Sequence, residues 1–297
     1  MEKAEKRPDL ILTSDFHLRE DTPTCWTGDF QKEQWDSVKF VNDLQQRYTC
    51  PVVHAGDLFH HWKPSPWLLS TTMEHLPKEF YSIFGQHDLP QHNMNLDYKS
   101  GMFTLAIAEK IHILPGAHWG DPIDNILDKY MQEEKKLSFP KRKILVWHHL
   151  TYQTKPFPGA SDGMAGGILR KYPQFDLIVT GDNHQSFVEE YEGRILVNPG
   201  SLTRQKADQM DFRPRVYLWY ADTNRVKPVY IPIADGVITR EHIEEKEERD
   251  SRIEAFISHL DADWEAGVGF EENIEEFFAK NTVEKEVKEI IYKSLER

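Results

Sequence analysis

Cysteine is scarce. Cys25 and Cys50 are the only two in 297 residues, at no paired spacing, which leaves no basis for a disulfide framework or a cysteine zinc knuckle. No apolar run approaches the length of a membrane span, and residues 1–9 are charged where a secretory leader would need an apolar stretch. The expectation is a soluble chain of a reducing cytoplasm, with no membrane partner. No Lys-Ser or Lys-Thr follows Gly163, Gly166 and Gly167, so the glycine-rich stretch 158–167 is not a P-loop and reads as a rim loop. A basic excess is missing too, the net charge being −13. That deficit is uneven: residues 241–297 carry −10, and the other 240 residues carry only −3. The larger part is therefore near neutral, and it keeps basic clusters at Lys135-Lys136, 141–143, Arg204 with Lys206, and Arg213 with Arg215.

What the chain does have is one pattern repeated five times. An apolar, strand-like run ends and a metal-ligating side chain follows. Leu10-Ile11-Leu12-Thr13 leads to Asp15-Phe16-His17, and Val52-Val53-His54 leads to Gly56-Asp57. Residues 80–84 lead to Gly85-Gln86-His87-Asp88, residues 144–147 to His148-His149, and residues 177–180 to Gly181-Asp182-Asn183-His184. Ligands of open α/β sheets sit beyond the carboxyl ends of strands, so the five ends point to a common site. Helical periodicity predicts helices over 30–48 and 64–76, a loop with a helix over 93–110, and leaves 119–140 ambiguous. Hairpin signals predict paired strands over 187–197 and again at 216–219 with 229–233, while 198–201 reads as a tight turn facing the site. The fold expected is α/β, a two-sheet β-sandwich flanked by helices over residues 1–235. An acidic, α-helical C-terminal extension follows over 236–297, with helices at 239–260, 270–280 and 283–295.

The ordered series Asp-x-His, Gly-Asp, Gly-Gln-His-Asp, His and Gly-Asp-x-His resembles the calcineurin-like metallophosphoesterases. The run Gly56-Asp57-Leu58-Phe59-His60, followed by Lys63-Pro64-Ser65, is similar to the SbcD-type nuclease subunit of double-strand-break repair complexes. By that resemblance Asp15, His17, Asp57 and His184 hold one divalent ion, and Asp57, Gln86, His148 and Asp182 hold a second, with Asp57 bridging. His60 matches a position beside the substrate phosphate. The resemblance also implies DNA as substrate and an SbcC-type ATPase as partner, with the acidic tail as the docking element; tail helices as often pack on their own domain or form the face of a homodimer.

Carboxylate, imidazole and amide ligands without thiolate suit Mn²⁺, Mg²⁺, Fe²⁺ or Zn²⁺. Gln86 stands where the family pattern has Asn, and Asp182 where it has His; the added carboxylate favours Mn²⁺ or Mg²⁺ over Zn²⁺ at the second position. A pair of ions can hydrolyse a phosphodiester but brings no proton for the leaving oxygen. His87 is the expected general acid or transition-state stabiliser, with Asp88 expected to orient its ring. Arg204 reads either as a phosphate-binding residue or as a surface salt bridge, and His61 and His149 as rim histidines. Three functions compete: a DNA nuclease, a phosphatase or small-molecule phosphodiesterase acting on cyclic or dinucleotides, and a non-catalytic adaptor that recruits a partner through its tail.

Overall fold

The computed structural model describes residues 6–121, 123, 126, 142–155, 162–241, 243, 248–253 and 270–295. The sequence readings for 119–140 and 239–260, the clusters at 135–136 and 141–143, and residues 158–161 of the 158–167 stretch fall wholly or partly outside them; Gly166 and Gly167, read as loop, instead lie in the first turn of the helix Ala165–Lys171. The chain divides into two compact units, Met1–Ile238 and Thr239–Arg297. The division falls three residues beyond the glycine at 236. Thr27 donates to the Val237 carbonyl at 2.9 Å and Ile238 bridges Trp26, so these residues belong to the first unit.

In the first unit, strands β1 (Leu10–Thr13), β2 (Val52–His54), β3 (Phe80–Ser82) and β4 (His112–Ile113) run parallel. The late hairpin β9 (Arg215–Tyr220) and β10 (Arg225–Tyr230) joins antiparallel at β1, giving the order β10-β9-β1-β2-β3-β4. The second sheet comprises β5 (Ile144–Trp147), β6 (Leu177–Thr180), β7 (Phe187–Tyr191) and β8 (Arg194–Asn198), in the order β5-β6-β8-β7. The sequence placed the last strand at 229–233; it starts at Arg225 because Asn224, in left-handed conformation at φ 50°, closes the turn directly before it.

Side-chain alternation along strands explains why there are three layers of core. Leu12, Val53, Val146, Val179 and Val197 pack between the sheets, whereas their neighbours Leu145, Ile178 and Leu196 face outward beneath the helix Ala165–Lys171. On the other outer face, Ile11, Val52 and Phe80 meet Val38, Val41 and Leu44 of helix α1 (Phe30–Tyr48). That helix starts where the Asp29 carboxylate accepts Lys32 N–H, and it stops at Thr49, left-handed at φ 50°. Helix α2 (Pro66–His75) starts with the Ser65 side chain accepting Leu68 N–H and proline in its first turn, where a missing donor costs nothing. In the second unit, helices Phe270–Lys280 and Lys285–Leu295 meet through an edge contact of Phe278 on Tyr292, whose hydroxyl donates to Glu275 at 3.0 Å. Among the described residues no helix is long and apolar enough to cross a membrane.

Candidate metal centre

All five strand ends meet. The Nε2 atoms of His17 and His184 lie 3.1 Å apart, and they stand 3.8 and 4.0 Å from Asp15 Oδ1. Asp57 Oδ2 lies 3.6 Å from His17 Nε2 and 3.5 Å from His148 Nε2. Asp182 joins the group through its backbone N–H, which donates to Asp15 Oδ1 at 3.0 Å, and its carboxylate accepts from Gln86 Nε2 at 2.9 Å. The seven residues assigned as ligands thus form one connected cluster, with Asp57 in the bridging place between two histidines.

Backbone geometry drives the side chains inward. Among the described residues ten non-glycine residues have φ between 46° and 74°, and four of them are Asp15, His17, Asp57 and Asp182. Left-handed conformations of this kind cost roughly 1–3 kcal/mol each and persist only where surrounding structure enforces them. One enforcing contact is close packing at Gly85: a Cβ there would lie 2.2 Å from Asp57 Oδ1, so no side chain fits. A second is the 198–201 turn. Ser201 N–H donates to the His184 carbonyl, Leu202 N–H to the Asp15 carbonyl, and Asn198 Nδ2 to the carbonyls of Asn183 and Gln185.

Unsatisfied buried atoms in the cluster fit a cation. Asp15 Oδ2, Asp57 Oδ2 and His148 Nε2 are buried without a hydrogen-bond partner among the described residues. Leaving such atoms unsatisfied costs about 1–3 kcal/mol apiece, more where they are charged, and a divalent ion removes that cost. Burial pushes Asp15 up to about 8, against the pull of His148. Burial opposes ionisation of Asp57 too, but the charge and hydrogen bond of His148, with His17 and His87, together outweigh it and hold this carboxyl well below the usual range. Burial lowers His148, but the charge and hydrogen bond of Asp57, with the Asp15 charge and the Ala55 carbonyl, together overcome it and lift His148 to about 10. His17 is driven well below its ordinary value by burial, and His184 to about 4 by burial and the Lys206 charge, so both present neutral imidazoles able to ligate. The Ala55 carbonyl, 2.6 Å from His148 Nδ1, fixes that ring so that Nε2 faces Asp57.

His60 and His87 stand on one side of the cluster, their rings stacked at 5.5 Å, and with His17 they form a group whose ligand atoms lie within 4.8 Å of one another. Two sequence assignments are corrected. Asp88 does not orient His87. It is wholly buried and accepts the backbone N–H groups of Asp57, Leu58, Phe59 and Gly85 at 2.9–3.3 Å, while the His60 carbonyl holds His87 Nδ1 at 2.8 Å. Arg204 is not available to a substrate. It is 4 % exposed, donates to the Ala234 carbonyl at 2.6 Å, pairs with Glu33 at 3.5 Å and lies over the Trp26 ring. The sequence reading also passed over His54. Its buried ring packs against Phe16 at 4.6 Å beneath the centre, and burial pushes it down to about 3. His149 stacks on Trp147 at 4.1 Å.

This fold and this cluster place the chain in a known group: it belongs to the calcineurin-like phosphoesterase superfamily, whose domain matches residues 9–215. That family uses two metal ions to hydrolyse phosphoesters. Among individual relatives, the chain is 29% identical over 179 residues to the DNA double-strand break repair protein Mre11 of Haloferax volcanii. The match covers 56% of this chain but only 38% of that protein. Solved structures with a similar fold include an archaeal phosphodiesterase, at 12% identity and TM-score 0.42, covering 74% of this chain and 98% of that one. Another is a putative 5'-nucleotidase from Staphylococcus aureus, at 13% identity and TM-score 0.44, covering 80% of this chain and 57% of that one.

Proposed function

We propose that this chain is a metal-dependent phosphodiesterase that cleaves DNA, in the manner of the SbcD-type nuclease subunit. The observation that carries the phosphodiesterase reading is the orphaned Asp57 Oδ2, shared between His17 and His148. DNA as substrate is supported by the similarity to the Haloferax volcanii repair protein. Asp15, His17, Asp57 and His184 would hold one ion, and Asp57, Gln86, His148 and Asp182 the other, with Mn²⁺ favoured by the oxygen-rich second set. Bound, these ions supply Lewis-acid charge for the phosphate and activation of the attacking water. The remaining work falls to the chain. With Nδ1 held by the His60 carbonyl, His87 has Nε2 free to give a proton to the departing sugar oxygen. Asp88 locks the two turns that bear Asp57 and His87, so the acid and the bridging carboxylate keep a fixed separation. An SbcC-type ATPase docked by the acidic helical unit, a homodimer and a cytoplasmic setting complete the proposal.

The test is cleavage of labelled single- and double-stranded DNA and of bis-(p-nitrophenyl) phosphate, with Mn²⁺ and with chelator, by the unsubstituted chain and Asp57→Asn. Metal-dependent cutting of DNA, lost in Asp57→Asn, is expected. Cleavage of the small diester beside intact DNA would replace the reading by a small-molecule phosphodiesterase, and full function in Asp57→Asn by an adaptor.

A further inference from the structure

Two residues past His17, the Arg19 side chain is 15% exposed and is held in a built setting. Its backbone N–H donates to Gln34 Oε1 at 3.0 Å, and its carbonyl accepts from Gln31 Nε2 and Gln34 Nε2, each at 3.0 Å. Gln34 is fully buried. Gln205, which donates to the His17 carbonyl at 3.2 Å, lies 3.5 Å from the guanidinium. The chain next to Arg19 is fixed to the His60 turn as well, since His60 N–H donates to the Leu18 carbonyl at 3.0 Å. Arg19 charge adds to burial in holding the His60 imidazole down. Arg19 is therefore anchored on the His60 and His87 side of the metal cluster.

Apart from a long bond from Nη1 to Gln205 Oε1 at 3.5 Å, its guanidinium is covered by the Asp21 carboxylate, through Nε to Oδ1 at 3.0 Å and a second bond from Nη2 to Oδ2. Asp21 is 68% exposed, lies only two residues away, and takes side-chain hydrogen bonds from Arg19 alone among the described residues. A link this local closes no long loop and ties no distant elements together. A guanidinium presents the same paired donors to a phosphate as to a carboxylate.

We propose that Arg19 binds a phosphate of the substrate strand adjoining the one that reacts, and that the Asp21 carboxylate occupies this binding face in the free protein. The inference rests on DNA being the substrate. Binding exchanges one anion for another on a guanidinium that is already oriented, and a polynucleotide gains over a substrate with a single phosphate.

The experiment compares the full chain with Arg19→Gln and Asp21→Asn, in Mn²⁺, on a fluorescent oligonucleotide and on bis-(p-nitrophenyl) phosphate, with melting curves for each protein. Arg19→Gln is expected to raise KM for the oligonucleotide about tenfold, well beyond its effect on the small diester, and to lower the salt slope of DNA binding by about one. Asp21→Asn is expected to lower the oligonucleotide KM severalfold at an unchanged melting temperature. Oligonucleotide cleavage indifferent to both substitutions, or equal shifts on both substrates, overturns the inference alone. An oligonucleotide left uncut by the unsubstituted chain while the small diester is cleaved overturns the DNA reading and this inference with it.

Discussion

Asp88 holds Asp57 from behind: its Oδ2 accepts the Asp57 backbone N–H at 2.9 Å, while Asp57 Oδ1 accepts the backbone N–H of His87 at 2.8 Å. The two acids thus clamp one another's turns. Burial, helped by the Asp57 charge, pushes Asp88 up to about 7. Asp88→Ala leaves several buried donors bare and is expected to cost about 3 kcal/mol or more in urea unfolding. A loss under about 1 kcal/mol would show that the clamp carries no weight.

Asp57→Asn keeps the shape of the side chain that lies between His17 and His148 and removes its charge. Metal ions contribute several kcal/mol of transition-state stabilisation, so kcat is expected to fall about a thousandfold or further. Calorimetric titration with Mn²⁺ should show weakened uptake in the same variant; uptake equal to that of the parent would put the bridge elsewhere.

His87→Ala separates proton donation from metal binding. Departure of a sugar alkoxide needs a proton, whereas p-nitrophenolate leaves without one. DNA cleavage is expected to drop about 10²-fold or more, with a much smaller effect on bis-(p-nitrophenyl) phosphate and unchanged Mn²⁺ uptake. Equal losses on both substrates would remove His87 from the role of acid.

A cation at Asp15 and His148 competes with protons. Asp15 moves from 3.8 to about 8 and His148 from 6.5 to about 10 on folding. Both values are raised, so the stability these groups confer is complete below 3.8 and 6.5 respectively and is lost as pH climbs through the folded values. Mn²⁺ replaces those protons, so the rise in Tm on adding it is expected to be larger at about pH 8 than at about pH 6. Identical rises in differential scanning fluorimetry would contradict these proton assignments.

Arg204→Gln tests the corrected role of that residue. Breaking its buried pair with Glu33 is expected to destabilise the fold by about 3 kcal/mol while kcat/KM on DNA stays within about twofold. A large kinetic loss at intact stability would return Arg204 to the substrate.

The strand ends were legible because each is a local signal, an apolar run followed within a few residues by Asp, His or Gln, and the sandwich follows from the same runs. Asp88 and Arg204 were misread because their partners are distant backbone groups and a helix residue, which no spacing in the chain reveals. Asp88 lies beside His87 in sequence, yet its carboxylate reaches back to amides some thirty residues earlier. The last strand began sooner than its apolar content suggested, because pairing with Arg215–Tyr220 admits the polar residues Arg225 and Lys227 on an exposed edge.

His17 and His184 face each other across a gap of 167 residues. A ribosome-bound chain lacking His184 cannot gather the first ligand set, so capture of the ion has to follow synthesis of most of the first unit, Met1–Ile238. Metal uptake would then report an assembled site, and shorter products would stay inert.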